Sequence, residues 1–267
     1  MKEKSIKKRF QIGLPIIVIG ITFIIALLAY NFIFGNPSHF MGNDNANQPL
    51  PGDYFGIIYK GGPVVPILMT INMVLLTFVV ESLFALKKAK GKGALITFVK
   101  EIRRLISHND VKQALAVCDA QKGSVANVVN SVLRKYEEVE KEPNMAKDQK
   151  LVAIQKEVEE ATALELPSLE QNLVILATIS SIATLVGLLG TVLGMIRAFA
   201  ALANAGAPDS VALAAGISEA LVNTALGIGT AAIAIIAYNY FTTTIDKLTY
   251  AIDETGFSIV QTYSANH

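Results

Sequence analysis

One cysteine, Cys118, is too few for an intrachain disulfide. The three histidines, His39, His108 and His267, are widely scattered and offer no spacing for a structural zinc site. No G-x-S-x-G, P-loop or G-x-G-x-x-G run occurs. No catalytic residue, metal ligand or cofactor is therefore expected, and the chain does not read as an enzyme. A net charge of +1 leaves no basic surface for nucleic acid. Charge is also scarce along most of the chain. Residues 87–172 hold 15 of the 23 Lys/Arg and 13 of the 22 Asp/Glu.

What remains is apolar. Hydrophobic residues make up 52% of the chain and mean hydropathy is +0.46, a value that soluble domains rarely reach. About 20 helical residues cross the hydrocarbon of a bilayer. Four stretches qualify, at about 12–34, 64–86, 173–196 and 211–241. The first follows a basic start, Lys2, Lys4, Lys7, Lys8 and Arg9. Its apolar core is too long for an ordinary signal peptide and no small-x-small site closes it, so it reads as a retained anchor.

Positive residues orient the spans. The tail carries five Lys/Arg, the Asn-, Gly- and Pro-rich segment 35–63 carries only Lys60, and Lys87, Lys88, Lys90 and Lys92 follow the second span. The 204–210 link has neither Lys nor Arg. Both termini and 87–172 are then expected in the cytoplasm, with 35–63 and 204–210 outside.

The resulting division is a basic tail and extra span (1–34), a periplasmic loop (35–63), a second span (64–86), a cytoplasmic helical domain (87–172), a third span (173–203), a periplasmic link (204–210), a fourth span (211–241) and a cytoplasmic tail (242–267). Within 87–172, helical spacing appears in Val111, Ala114, Leu115 and Cys118, then in Val128, Val129, Val132 and Leu133, then in Leu151, Ile154 and Val158. Gly123-Ser124 and Glu142-Pro143-Asn144 separate these runs. The last helix is expected to run on toward the third span, bent at Pro167.

Two faces carry the polar chemistry. In the third span, Ser180, Thr184, Gly187, Thr191 and Gly194 recur at helical spacing, and Gly190 with Gly194 forms a G-x-x-x-G. In the fourth, Gly216, Glu219, Asn223, Gly227 and Thr230 share a face. The glycines suit close helix packing, whereas a line of hydroxyls suits a hydrated path. Glu219 is the single carboxyl inside either of the last two spans, and such a charge in lipid costs about 2.5–3.5 kcal/mol. It must face protein or water, or take up a proton, and a group of that kind serves a proton relay. The alternatives are a structural Glu satisfied by Asn223 one turn away, or an interfacial one. Arg197 reads as an interfacial anchor, Glu81 as a residue that snorkels or pairs with a lysine of 87–92, and Cys118 as a small core residue.

The run GLLGTVLGMIRAF (187–199), with GISEALVNTALG (216–227) and AYNYF (237–241), resembles the signature of the MotA/TolQ/ExbB proton-channel family. LELPSLEQNL (164–173) and ESLFAL (81–86) are similar to that family as well, closest to ExbB-like subunits. The resemblance covers roughly 64–245. It implies an all-α polytopic membrane protein of four transmembrane helices and a helical cytoplasmic domain, a homo-oligomer, a pentamer by analogy, around a central pore. It implies an ExbD/TolR-like single-span partner and a TonB-like protein, with protons as the coupling ion in a bacterial inner membrane. Glu219 matches the family's pore glutamate, and Thr191 and Thr224 its pore threonines. Thr184 and Asn223 join them as expected members of the proton pathway, with Gly187, Gly190, Gly194, Gly216 and Gly227 as packing positions.

The chain departs from the pattern in several places. ATLV (183–186) stands where Ala-Pro is common, 231–236 has no proline, and Asn223 replaces a commoner Thr or Ala. Thr224 lies about 140° round the helix from Glu219 and need not share its path. The extra first span also lies outside the three-helix core. The expected function is to spend the proton motive force on outer-membrane transport. A TolQ-like envelope motor and a MotA-like stator are the alternatives within the class, and a non-conducting scaffold is the alternative outside it. An intramembrane enzyme lacks paired carboxylates, metal ligands or a Ser/His pair.

Overall fold

A segment that crosses lipid must satisfy every backbone N–H and C=O within itself, so long apolar runs without breakers become helices. The computed structural model describes residues 17–203 and 209–266. The basic tail, the start of the first expected span, most of the 204–210 link and His267 lie outside the described residues. Among those described, the regular structure is helical, with one isolated antiparallel bridge between Phe40 and Pro49. Four helices are long and apolar enough to cross a membrane: α1 (Ile17–Phe34), α3 (Val65–Lys90), α8 (Pro167–Ala203) and α9 (Ser210–Asn266). A six-residue helix, α2 (Tyr54–Tyr59), precedes α3. The chain is an all-α, multi-pass membrane protein.

It divides into two units, Met1–Val79 with Ile175–Ala237, and Val80–Val174 with Tyr238–His267. In the first unit, large side chains of α8 and α9 such as Leu185, Leu189 and Ile236 are exposed, while small or polar ones such as Ala183, Ala198, Ala220 and Asn223 are buried. That inversion follows from a solvent of lipid tails, which rewards no burial of leucine. Segment 35–63 is built from short turns around the buried Phe40. The Asp53 carboxylate caps α2, accepting from Phe55 N at 2.9 Å and Gly56 N at 3.1 Å, and it meets His39 Nδ1 at 2.7 Å. The His39 hydrogen bond, aided by the Gly56 N–H, holds the Asp53 carboxyl below its usual value. Lys60 Nζ donates to Asn45 O and Ala46 O at 2.9 and 3.0 Å.

The second unit contains α4 (Leu95–Ser107), α5 (Val111–Gln121), α6 (Ser124–Glu140) and α7 (Lys147–Glu165). Phe98, Ile102 and Leu105 of α4, Ala114 and Cys118 of α5, and Val125, Val129, Val132 and Tyr136 of α6 are buried at helical spacing. The turns at Gly91 and Gly123, both at positive φ, lie against each other, and a Cβ on Gly91 would strike the Lys122 carbonyl. Helix α7 leads into α8 through Leu166, which keeps helical angles (φ −59°, ψ −43°) and whose N–H reaches Thr162 O at 3.0 Å; Pro167, lacking an N–H, begins α8.

Of residues 242–267, expected as a tail, 242–266 are the last part of α9. Its buried Ile245, Leu248, Ile252, Ile259 and Tyr263 form one apolar stripe. Tyr263 meets Tyr136 edge-on with ring centroids 4.7 Å apart, and Arg103 holds Glu254 at 3.1 Å and Ser258 at 2.8 Å. A stripe of this kind is short of hydropathy, so a span-oriented reading passes over it.

Burial pushes the Cys118 thiol up to about 12, and the thiolate is the reactive form. The native protein is therefore expected to resist maleimide at neutral pH and to label once denatured. Equal labelling rates in the two states would mean that α5 does not pack on its neighbours.

Candidate functional site

The site grows from the absence of side chains. A Cβ on Gly194 would lie 2.7 Å from Ala220 N and Gly216 O; one on Gly216 would lie 2.7 Å from Ala198 N and Gly194 O. Gly187 and Gly227 meet in the same way, 3.0 Å from a built Cβ to the facing Cα, and Gly190 leaves room for the Asn223 side chain. Helices α8 and α9 therefore touch backbone to backbone, the arrangement that small residues permit in lipid.

That contact sets the polar groups. Glu219 is 5% exposed, and both of its carboxylate oxygens accept from Arg197 Nη1 at 2.7 Å. The Arg197 side chain is half-exposed. Thr191 and Thr224, also paired across α8 and α9, join hydroxyl to hydroxyl. Each also donates or leans back to its own helix, at Gly187 O (3.3 Å) and Ala220 O (3.1 Å). Thr224 is thus 140° from Glu219 on its helix yet faces Thr191 within the same chain.

Asn223 does not serve Glu219. Its Nδ2 donates to Gly61 O at 2.8 Å, and its fully buried Oδ1 has no hydrogen-bond partner among the described residues. The Gly61-Gly62 turn before α3 lies over both side chains. Gly62, at φ +76°, comes so near that a Cβ there would stand 2.5 Å from Glu219 Oε1 and 3.3 Å from Arg197 Nη1. One further link, Asn72 Nδ2 to Thr230 Oγ1 at 3.2 Å, ties α3 to the same face of α9.

Thr184 is not brought into this group: it is exposed and its hydroxyl bonds back to Ser180 O at 3.1 Å. Arg197, which in the sequence reads as an interfacial anchor, is the counter-ion of Glu219. The clue lay in its position three residues beyond Gly194, which continues the Gly187, Thr191, Gly194 face. The Gly61-Gly62 turn carried no such clue. What the arrangement offers chemically is a buried carboxylate inside a spanning helix, balanced by a half-exposed cation, with a hydroxyl pair joining the same two helices.

Comparison with known proteins matches residues 124–254 to the MotA/TolQ/ExbB proton channel family. The Tol-Pal system protein TolQ of Pseudomonas aeruginosa is 31% identical over 137 residues, 51% of this chain and 59% of that protein. The biopolymer transport protein ExbB of Pseudomonas putida is 28% identical over 191 residues, 70% of this chain and 56% of its own length. The ExbB of Neisseria meningitidis is 27% identical over 206 residues, 74% of this chain and 91% of its own. The chain thus spans little more than half of the two Pseudomonas relatives.

Proposed function

Because the chain belongs to the MotA/TolQ/ExbB proton channel family, we propose that it is the proton-conducting subunit of a bacterial inner-membrane motor energising outer-membrane transport. The observation that carries this reading is Glu219, buried in a membrane-spanning helix and balanced by a single half-exposed guanidinium. A carboxylate in that setting can trade its arginine for a proton, and the Thr191–Thr224 hydroxyls, which join the same two helices, are groups along which a proton can pass. No metal or organic cofactor enters this scheme; the proton is the coupling ion.

Each charge that crosses 100 mV releases about 2.3 kcal/mol, enough for one or two protons to bias a step of a partner helix. In this reading both termini are cytoplasmic, the chains assemble as a pentamer around a pore, and an ExbD/TolR-like single-span subunit and a TonB-like protein complete the motor. The glycines of α8 and α9 hold the pathway's walls together. Likeness to TolQ supports a second reading, a motor for envelope integrity.

The test compares wild type with Glu219→Gln at matched membrane abundance, measuring uptake of an iron–siderophore complex in the native host. Uptake is expected to fall to the level seen with an uncoupler while the complex stays assembled. Retained uptake with a new sensitivity to detergent would favour the envelope motor. A variant normal in both assays would point to a scaffold.

A further inference from the structure

Segment 35–63 does not simply loop away from the membrane. Helix α1 ends in a π-turn, Ala29–Phe34, and α2 folds back along it. The Phe55 ring lies 5.4 Å from the Phe34 ring. Four residues on, the Tyr59 ring stacks on Tyr30 at 4.7 Å, and Tyr30 Oη donates to Tyr59 O at 2.9 Å. Later residues of α2 thus meet earlier residues of α1. The short helix re-enters beside the last turn of the span, reaching about 6 Å back along it.

The large exposed side chains at that level are apolar or aromatic, beside the exposed Asn31, whose amide donates back to Leu27 O. Phe32 is 73% exposed on α1, and Tyr54 and Phe55 at the start of α2 are 77% and 48% exposed, with Leu50 just before them. The exposed face of the span therefore continues onto α2. The nearby charges are already satisfied: Asp53 by His39 and the α2 amides, Lys60 by two carbonyls. Helix α2 itself, YFGIIY, has no charged residue. Aromatic rings with one polar atom favour the headgroup boundary, where one end is wet and the other apolar.

We infer that α2 is an interfacial anchor, with Tyr54 and Phe55 seated in the headgroup–acyl boundary of the bilayer. Its C-terminal end leads directly into the Gly61-Gly62 turn over Glu219 and Asn223, so lipid contact at α2 steadies the cover of that carboxylate. The inference rests on the chain spanning a membrane and not on proton conduction.

The chain has no tryptophan, so one introduced indole reports alone. Tyr54→Trp and Phe55→Trp are made in the full chain and reconstituted into phosphatidylcholine vesicles, with Phe32→Trp as the lipid-facing reference. Phosphatidylcholine brominated at shallow acyl carbons is expected to quench both α2 indoles as strongly as the reference, and aqueous acrylamide to quench them weakly. Strong acrylamide quenching without bromine quenching would place α2 in water and overturn the inference. Protection from both quenchers would mean that protein covers α2, and would overturn it equally. Either variant suffices if the other fails to insert.

Discussion

Arg197→Gln is expected to destabilise the protein by about 3 kcal/mol, and the double variant Arg197→Gln/Glu219→Gln to recover most of that loss. The reason is the asymmetry of the pair. The Glu219 side chain keeps only 7% of its exposure, whereas Arg197 keeps 53%. Removing the arginine strands a buried carboxylate, and Asn223 donates to Gly61 O rather than to it. Removing the glutamate strands a guanidinium that is already half-exposed. Glu219→Gln alone should therefore cost less than Arg197→Gln, near the ~1 kcal/mol of an ordinary hydrogen bond. Denaturant unfolding of the four proteins in one detergent closes the cycle. Additive single effects, with no coupling between 197 and 219, would refute the ion pair as the feature that holds Glu219 in place.

The second large effect concerns the contact beneath that pair. Gly194→Val places its first new atom 2.7 Å from Ala220 N and Gly216 O, both backbone atoms that no side-chain rotation can clear. Overpacking a core costs typically 1–3 kcal/mol when side chains can shift; here two helices must separate, and the loss should exceed about 3 kcal/mol. The same separation would pull Thr191 from Thr224 and Arg197 from Glu219. Gly229→Ala supplies the contrast, since nothing lies within 4 Å of a Cβ built there. Membrane abundance and unfolding midpoint should collapse in Gly194→Val and hold in Gly229→Ala. If both variants behaved like wild type, α8 and α9 could not be in backbone contact.

These two predictions depend on different kinds of information. Hydropathy and helical period are local properties of the chain, and they were enough to determine the four spanning segments, the helices over 111–165 and the small-residue faces around Gly187, Gly194, Gly216 and Gly227. Glu219 was also legible, because a lone carboxyl in an apolar run is conspicuous without any structure. Its partner was not. Arg197 stands 22 residues away and could have been an anchor at the end of a span; only the depth at which Gly194 lets α9 approach α8 aims the guanidinium at the carboxylate. Asn223 is a parallel case, one turn from Glu219 in sequence yet bonded to Gly61, 162 residues away. Thr224 meets Thr191 across 33 residues, a pairing that the helical angle from Glu219 does not suggest. The return of α2 along α1 and the stripe that carries α9 to Asn266 lie beyond hydropathy, since neither is apolar or long enough to announce a span. Periodicity fixes which residues share a face of one helix, and the distance at which two helix backbones can meet decides which faces touch.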